Sequence, residues 1–206
     1  MFKFHVLTVG PIAENCYIVY NNDSSHALII DPGAEPERLD AFIAQHHLQP
    51  YAILLTHAHV DHIGAVPALT AKYAIPVWVH GADLPIYRSP ANALPPWLPA
   101  VDALPAPAAT AVLPAPPGLS CRCLHTPGHT PGSCCFYFAE ASLCFTGDTL
   151  FCGSVGRTDF PGGDADSLRR SLRKLLETLP QDTAIYPGHG ASSTIGEESD
   201  HNPYIL

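Results

Sequence analysis

The most constraining feature of this sequence is a segment of seven residues that contains four side chains able to bind metal ions. The segment is Thr56-His57-Ala58-His59-Val60-Asp61-His62, and it comes directly after the apolar run Tyr51–Leu55. A helical pattern of apolar residues starts at Ile63. The chain is therefore expected to place a strand, a metal-binding turn and a helix in succession.

The spacing within this turn predicts where its side chains point. Residues two apart in an extended segment face the same side, so His57, His59 and Asp61 are expected to converge. His62 follows directly and is expected to turn toward a second ion. Histidines that merely cap the helix or pack against neighbours are the alternative, and this density of ligand-type residues disfavours it.

Three later residues are the candidate partners of this turn. His129, Asp148 and His189 each follow a probable strand and lie beside glycine, on loops of the kind that gather binding groups. If Asp148 bridges two ions, one ion takes His57, His59, His129 and Asp148, and the other takes Asp61, His62, Asp148 and His189. Nitrogen and oxygen ligands of this type suit zinc first, with iron or manganese as alternatives.

Periodic patterns elsewhere predict an α/β protein with mixed sheets flanked by helices. Helical patterns cover Pro36–His47, Ile63–Tyr73 and Asp166–Leu179. Strands are predicted at Phe2–Val9, Cys16–Tyr20, Ala27–Ile30, Tyr51–Leu55, Val77–Val79, Leu119–Leu124, Cys134–Phe138, Leu143–Phe145 and Ala184–Tyr186. The stretch Pro90–Pro117 is rich in proline and is expected to be a long ordered surface loop, either a lid or a tether. No composition shift marks a second domain, so residues 1–206 are predicted to form a single domain.

Composition excludes several partners. The chain has 19 acidic and 10 basic residues, a net charge of −9, which disfavours nucleic acid because phosphate backbones are bound by Lys and Arg. No apolar run is long enough to span a membrane, and the start of the chain alternates like a strand rather than a signal peptide. Its seven cysteines lie mostly in apolar runs and are expected to be buried thiols in a reducing cytoplasm.

Taken together, these motifs resemble the metallo-β-lactamase superfamily, and within it the short, single-domain type of the glyoxalase II (hydroxyacylglutathione hydrolase) group. The resemblance covers nearly the whole chain and includes Ile29–Gly33, the turn at 56–64, the loop at 126–132, Gly147–Phe151, Gly153–Phe160, Tyr186–Gly190 and Asn202–Tyr204. It implies an αββα four-layer sandwich, with the seven ligands named above at the metal positions. It also implies that Asp31 supports the metal loop without binding the metal.

The resemblance implies a metal-dependent hydrolase of thioesters, with S-D-lactoylglutathione or a related acyl-glutathione as the substrate. A hydroxide shared by two ions, held roughly 3.5–4 Å apart, would attack the thioester carbonyl, and Asp61 would help to orient it. Arg157 matches a family position that contacts glutathione. Asp159 and Gly190-Ala191 depart from the family pattern, so glutathione recognition is expected to be altered.

Two alternatives remain open at the level of sequence. Gly156–Phe160 and the Asn-Pro ending also resemble persulfide dioxygenases of the same superfamily, which use one iron. An inactive metal-binding homologue is the second alternative. The true β-lactamases of the superfamily fit less well, because several carry a cysteine ligand where this chain has Asp148.

Overall fold

The computed structural model describes residues 1–108 and 112–205. The chain divides into two compact units, Met1–Ser120 and Cys121–Leu206. Three residues of the predicted loop Pro90–Pro117, at positions 109–111, lie outside the described residues.

The first unit is built on a mixed five-stranded sheet. Its strands follow chain order: β1 (Phe2–Val9), β2 (Glu14–Asn21), β3 (His26–Ile30), β4 (Gln49–Leu54) and β5 (Val77–Trp78). The first three strands pair antiparallel, whereas β3, β4 and β5 pair parallel. Parallel neighbours need a long crossover, and helices supply it. Helix α1 (Pro36–Gln45) connects β3 to β4, and α2 (Val60–Ile63) and α3 (Val66–Tyr73) connect β4 to β5. Helix α4 (Leu84–Tyr87) follows β5.

The second unit carries another mixed five-stranded sheet, with the strand order β12-β11-β8-β7-β6. The strands are β6 (Arg122–His125), β7 (Cys134–Phe138), β8 (Leu143–Gly147), β11 (Ala184–Pro187) and β12 (Ser193–Thr194). A separate hairpin pairs β9 (Leu150–Phe151) with β10 (Ser154–Val155). Helix α5 (Ala165–Thr178) connects the parallel strands β8 and β11, and α6 (Ile195–His201) follows β12.

Each unit has its own apolar core. In the first unit, Leu39 and Ile43 of α1 pack in one cluster with Ile29 and Ile53 of the sheet. In the second unit, Leu168, Leu172 and Leu175 of α5 pack with Ile185 of β11. The leucine stripe predicted for Asp166–Leu179 is therefore the buried face of α5.

The predicted α/β class with mixed sheets and helices is confirmed, and the main differences are local. One predicted helix, Ile63–Tyr73, is two helices with Gly64 and Ala65 between them. The second of these starts with proline near its first position, which suits a residue that lacks an N–H donor. The short strands β9, β10 and β12 and helix α6 were not predicted, because elements of two to seven residues carry little periodicity.

Four of the cysteines, Cys16, Cys134, Cys135 and Cys144, are buried free thiols, as expected. Cys121 and Cys123 are partly buried, and Cys152 is exposed. Across residues 1–108 and 112–205, none of the helices combines the length and apolar character needed to cross a membrane.

Candidate metal centre

The turn rich in histidine lies at the carboxyl end of β4, where the sheet of the first unit ends. His57 and His59 follow the strand, His59 occupies the N-cap position of α2, and Asp61 and His62 belong to that helix. All four side chains are buried. The ring centroids of His57 and His62 are 4.1 Å apart, and those of His57 and His59 are 4.9 Å apart. Asp61 lies in α2, so the prediction that it alternates with His57 and His59 along an extended segment is wrong.

Asp31 anchors this turn through both of its carboxylate oxygens. Its Oδ1 accepts a hydrogen bond from the backbone N–H of Thr56 at 2.7 Å, and its Oδ2 accepts from Nδ1 of His62 at 2.9 Å. The Thr56 hydroxyl also donates to Oδ2, and Nδ1 of His57 lies 3.1 Å from that hydroxyl oxygen. Both rings therefore use Nδ1 for support, which directs the Nε2 lone pair of each toward a metal ion.

Two further carboxylates lie beside His62. Oδ2 of Asp61 is 3.4 Å from its Nε2, and Oε1 of Glu14 is 3.7 Å from its Nδ1. Glu14 was not singled out from the sequence, although a carboxylate opening the apolar strand β2 is an unusual pattern. Burial raises the pKa of the Cys16 thiol well above its ordinary value, and the charges of Glu14 and Asp31 raise it further.

Asp83 is a second residue that sequence reasoning missed. It is fully buried, and its Oδ2 accepts a hydrogen bond from the backbone N–H of Ala58 at 3.0 Å. Because Ala58 lies between His57 and His59, this bond fixes the backbone from which both rings project. The sequence gives little sign of this role, since Asp83 lies in a separate short 3₁₀ turn.

The donor set of the first unit fits a divalent cation. Donor atoms of Asp31, His57 and His62 lie within 4.8 Å of one another. Because both oxygens of Asp31 already accept hydrogen bonds from Thr56 and His62, Asp31 supports the rings, and the two histidines are the candidate metal ligands of this group. Buried carboxylates are costly unless their charge is balanced, and a cation held by these histidines would balance it. Histidine nitrogen and carboxylate oxygen are ligand types of zinc and of iron.

The other three predicted ligands lie in the second unit and cluster around Asp148. Its Oδ2 is 3.6 Å from Nε2 of His129 and 3.8 Å from Nε2 of His189. Nδ1 of His129 donates a hydrogen bond to the carbonyl oxygen of Arg157 at 2.8 Å, which again directs Nε2 toward a ligand. His129 is nearly buried, whereas the side chain of His189 is 27% exposed.

The guanidinium of Arg157, the predicted glutathione contact, is already engaged. It forms two hydrogen bonds of 2.6 Å with the carboxylate of Asp159 and lies 4.0 Å above the ring centre of Phe160. This pairing lowers the pKa of Asp159 to about 2. A substrate carboxylate that binds Arg157 must therefore compete with Asp159.

Known proteins match both the sequence and the fold. The sequence matches the family model of the metallo-β-lactamase superfamily over residues 9–189. The hydroxyacylglutathione hydrolase GloC of Haemophilus influenzae is 38% identical over 216 residues, which cover 98% of this chain and 98% of that protein.

Two solved structures extend the likeness to three dimensions. The B3 metallo-β-lactamase BLEG-1 has a TM-score of 0.89 and 39% identity, covering 98% of this chain and 99% of its own. TTHA1623, solved in a di-iron-bound form, has a TM-score of 0.83 and 42% identity, covering 97% of this chain and 99% of its own.

This chain belongs to the metallo-β-lactamase superfamily, and its predicted fold class is confirmed. The superfamily match and the His/Asp cluster support binding of divalent metal by this protein, and relatives with hydrolase names place it among metallo-hydrolases. The matched residues run through both units, and a single domain over 1–206 stays a prediction.

Proposed function

We propose that this protein is a metal-dependent thioester hydrolase whose substrate is S-D-lactoylglutathione or a related acyl-glutathione. The observation that carries the hydrolase proposal is the buried turn of His57, His59, Asp61 and His62, with His62 held by Asp31. The choice of thioester rests on the 38% identity to the hydroxyacylglutathione hydrolase of Haemophilus influenzae.

The proposed ligands are the seven predicted from sequence: His57, His59, Asp61, His62, His129, Asp148 and His189. When bound, a pair of divalent ions would supply Lewis acidity and bring the pKa of a water molecule to about 7. Zinc is proposed, with iron or manganese as alternatives. The chain contains no G-x-S-x-G segment, so no serine nucleophile of that type competes with this chemistry.

Asp61 is the proposed catalytic residue. Its carboxylate lies in a buried turn, 3.4 Å from Nε2 of His62, and can accept a hydrogen bond from the attacking water. This bond would direct the oxygen lone pair of the water at the thioester carbonyl. The leaving group is a thiolate, which needs little protonation, so the proposal needs no added general acid.

Arg157 is the proposed contact for the glutathione portion of the substrate. Its bidentate pair with Asp159 is exposed, so a substrate carboxylate can displace it at little cost. We expect this exchange to weaken glutathione binding compared with an unpaired arginine.

Metal analysis and a substrate panel test the proposal together. Purified protein is analysed for metal and then assayed with S-D-lactoylglutathione, other acyl-glutathiones, a cephalosporin, and glutathione persulfide with an oxygen electrode. We expect two metal ions per chain and cleavage of an acyl-glutathione without oxygen uptake. Preferred cleavage of the cephalosporin, as the similarity to BLEG-1 would suggest, or oxygen uptake with a single bound iron, would overturn the proposal.

The variant Asp148→Asn tests the role of the ligands. Loss of a residue that supports a metal ligand from outside the coordination sphere lowers metal affinity or activity about 10–100-fold. Loss of a ligand itself is therefore expected to lower kcat/KM about 100-fold or more. Asp182→Asn, at an exposed position in the same unit, is the matched control and should retain activity. Full thioester activity in Asp148→Asn would refute the proposed ligand set.

A further inference from the structure

A small pocket in the first unit lies beside the proposed catalytic residue. It has a volume of about 50 Å³, and its lining includes Val9, Pro11, Ile12, Val60, Asp61 and Leu98. Of the described residues that line it, Asp61 alone has a polar side chain. The pocket therefore combines an apolar lining with one carboxylate from the candidate metal centre.

One side of the pocket is the turn between β1 and β2. Gly10 and Ala13 both adopt positive φ there, 70° and 57°, and the N–H of Ala13 donates to the carbonyl of Gly10 at 3.3 Å. The turn is tied to the start of α1, because the N–H of Gly10 donates to Oε1 of Glu35 at 2.9 Å. Arg38 adds a hydrogen bond of 2.8 Å to the carbonyl of Thr8. These bonds hold Pro11 and Ile12 in place before a ligand arrives.

The other side of the pocket is supplied by the loop rich in proline, through Leu98. Leu98 and Leu94 exchange two backbone hydrogen bonds, of 2.9 and 3.0 Å, which close a short turn. The buried side chain of Asn92 then fixes the chain just beyond, through hydrogen bonds of 3.0 and 3.1 Å to the backbone of Val101. This part of the loop is thus an ordered structure that presents Leu98 to the pocket.

We infer that this pocket receives the acyl chain of the substrate and that Leu98 sets the length of chain it accepts. The inference rests on the proposed function and names the acyl class for it: two or three carbons with an apolar end. A volume of 50 Å³ holds about one or two groups of the size of a water molecule or a methyl group. The methyl group of acetyl and the ethyl group of propionyl fit this limit, whereas the three carbons that butyryl carries beyond its carbonyl exceed it. A lactoyl chain fits by its methyl group alone, with its hydroxyl outside the pocket.

Chain-length selectivity tests the inference. The kcat/KM of the zinc-loaded protein is measured for acetyl-, propionyl-, lactoyl- and butyryl-glutathione. One methylene too many in an apolar pocket costs about 10-fold or more in kcat/KM, so butyryl-glutathione should be disfavoured by at least that factor. In Leu98→Ala the ratio of butyryl to acetyl activity should rise about 10-fold, because removing the side chain enlarges the pocket.

Two more variants control for unfolding of Leu98→Ala and for general effects of changing this loop. Leu98→Phe narrows the pocket and should lower propionyl more than acetyl activity, so the inference stays testable if Leu98→Ala unfolds. Trp97→Ala is the matched control, since Trp97 lies on the same loop, is 57% exposed and does not line the pocket. It should keep the chain-length ratio of the unmodified protein. An unchanged ratio in both Leu98 variants would overturn the inference.

A binding measurement separates this inference from the proposed function. Methyl NMR of the zinc-loaded protein follows Leu98, Val9 and Val60 while propionate or hexanoate, models of the acyl product, is added. Shifts at these methyl groups with propionate, reduced with hexanoate and altered in Leu98→Ala, would support the pocket even if no thioester were cleaved. Thioester cleavage without such shifts would retain the proposed function and refute the pocket.

Discussion

At the scale of single residues, Asp31 shows how local strain is tied to the candidate site. It adopts a positive φ of 50°, which side-chain-bearing residues rarely do and which costs on the order of 1–3 kcal/mol. Aspartate and asparagine tolerate this conformation better than most residues. The hydrogen bonds that Asp31 accepts from Thr56 and His62 offset the strain and place the carboxylate under the histidine turn.

Asp31→Asn should separate this supporting role from backbone strain. Asparagine keeps the positive φ, but its single amide oxygen can replace only one of the two carboxylate oxygens, so the hydrogen bond from either the Thr56 N–H or His62 is lost. We expect metal affinity to fall about 10–100-fold, measured by competition with a chromophoric chelator. Asp200→Asn, at an exposed position, is the control. Unchanged affinity in a folded Asp31→Asn protein, checked by circular dichroism, would show that the second carboxylate oxygen of Asp31 is dispensable for metal binding.

The Arg157–Asp159 pair gives a residue-scale prediction for pH. Its hydrogen bonds lower the folded-state pKa of Asp159 from 3.8 to about 2, so the pair favours the folded state above pH 3.8. That contribution is lost as the pH falls from 3.8 through about 2. In Arg157→Gln the pKa of Asp159 should return toward 3.8, as followed by carboxyl ¹³C NMR. In the control Arg173→Gln, the pKa of Asp159 should stay at about 2. A pKa of about 2 in Arg157→Gln would disprove the role of the guanidinium.

At the scale of elements, close backbone contacts rather than side-chain patterns fix the loops at strand ends. A Cβ atom on Gly33 would lie 1.6 Å from the carbonyl oxygen of Asp61 and 2.6 Å from Oε2 of Glu14. A Cβ on Gly128, next to His129, would lie 2.4 Å from the backbone of Leu168 in α5. Glycine is therefore required where these loops pass close to α2 and α5.

Gly33→Ala should destabilise the protein strongly, since backbone must move to make room. We expect a loss of about 3 kcal/mol or more in the free energy of unfolding, measured by urea titration. Gly153→Ala is the comparison, because a Cβ there meets nothing within 4 Å and only its φ of 66° is strained. That variant should cost about 1 kcal/mol. Equal losses in the two variants would contradict a role for the close contact with Asp61.

Element prediction succeeded where the pattern is long and failed where it is short. Helix α5 is fourteen residues long and its leucines recur from Leu168 to Leu176, and the Asp164 side chain caps its first turn by accepting from the N–H of Ser167. Both signals are local in sequence, so they predict the helix without tertiary information. The break at Gly64-Ala65 was missed, because a tertiary hydrogen bond accompanies it: the N–H of Ala65 donates to the carbonyl oxygen of Pro32 at 2.9 Å rather than to a carbonyl of its own helix.

At the scale of the whole molecule, the net charge of −9 includes carboxylates that are buried. Glu14, Asp31 and Asp61 all lie beside His62, so a bound cation should stabilise the folded state as well as serve chemistry. An ion present at about 100 times its dissociation constant contributes about 2.7 kcal/mol by binding only the folded protein.

Metal removal should therefore lower the melting temperature. We expect dialysis against a chelator to shift the thermal transition downward and zinc to restore it, as measured by differential scanning fluorimetry. Magnesium, which prefers oxygen ligands and retains its water, serves as the control and should restore little. A melting temperature that is the same with and without metal would argue against cation binding in the buried carboxylate cluster.

The sequence by itself determined the α/β class, the long strands and helices, and the candidate ligands at strand ends, because these depend on periodicity and on residue chemistry within short segments. Tertiary structure decided what supports those ligands. Asp31 and Asp83 bond to the turn at 56–62 from positions 25 residues away in the chain, and Glu14 approaches it from another strand. The pocket at Leu98 likewise exists only because separate segments of the chain meet. Such contacts leave no periodic trace in sequence, since they depend on distances between elements rather than on spacing within one.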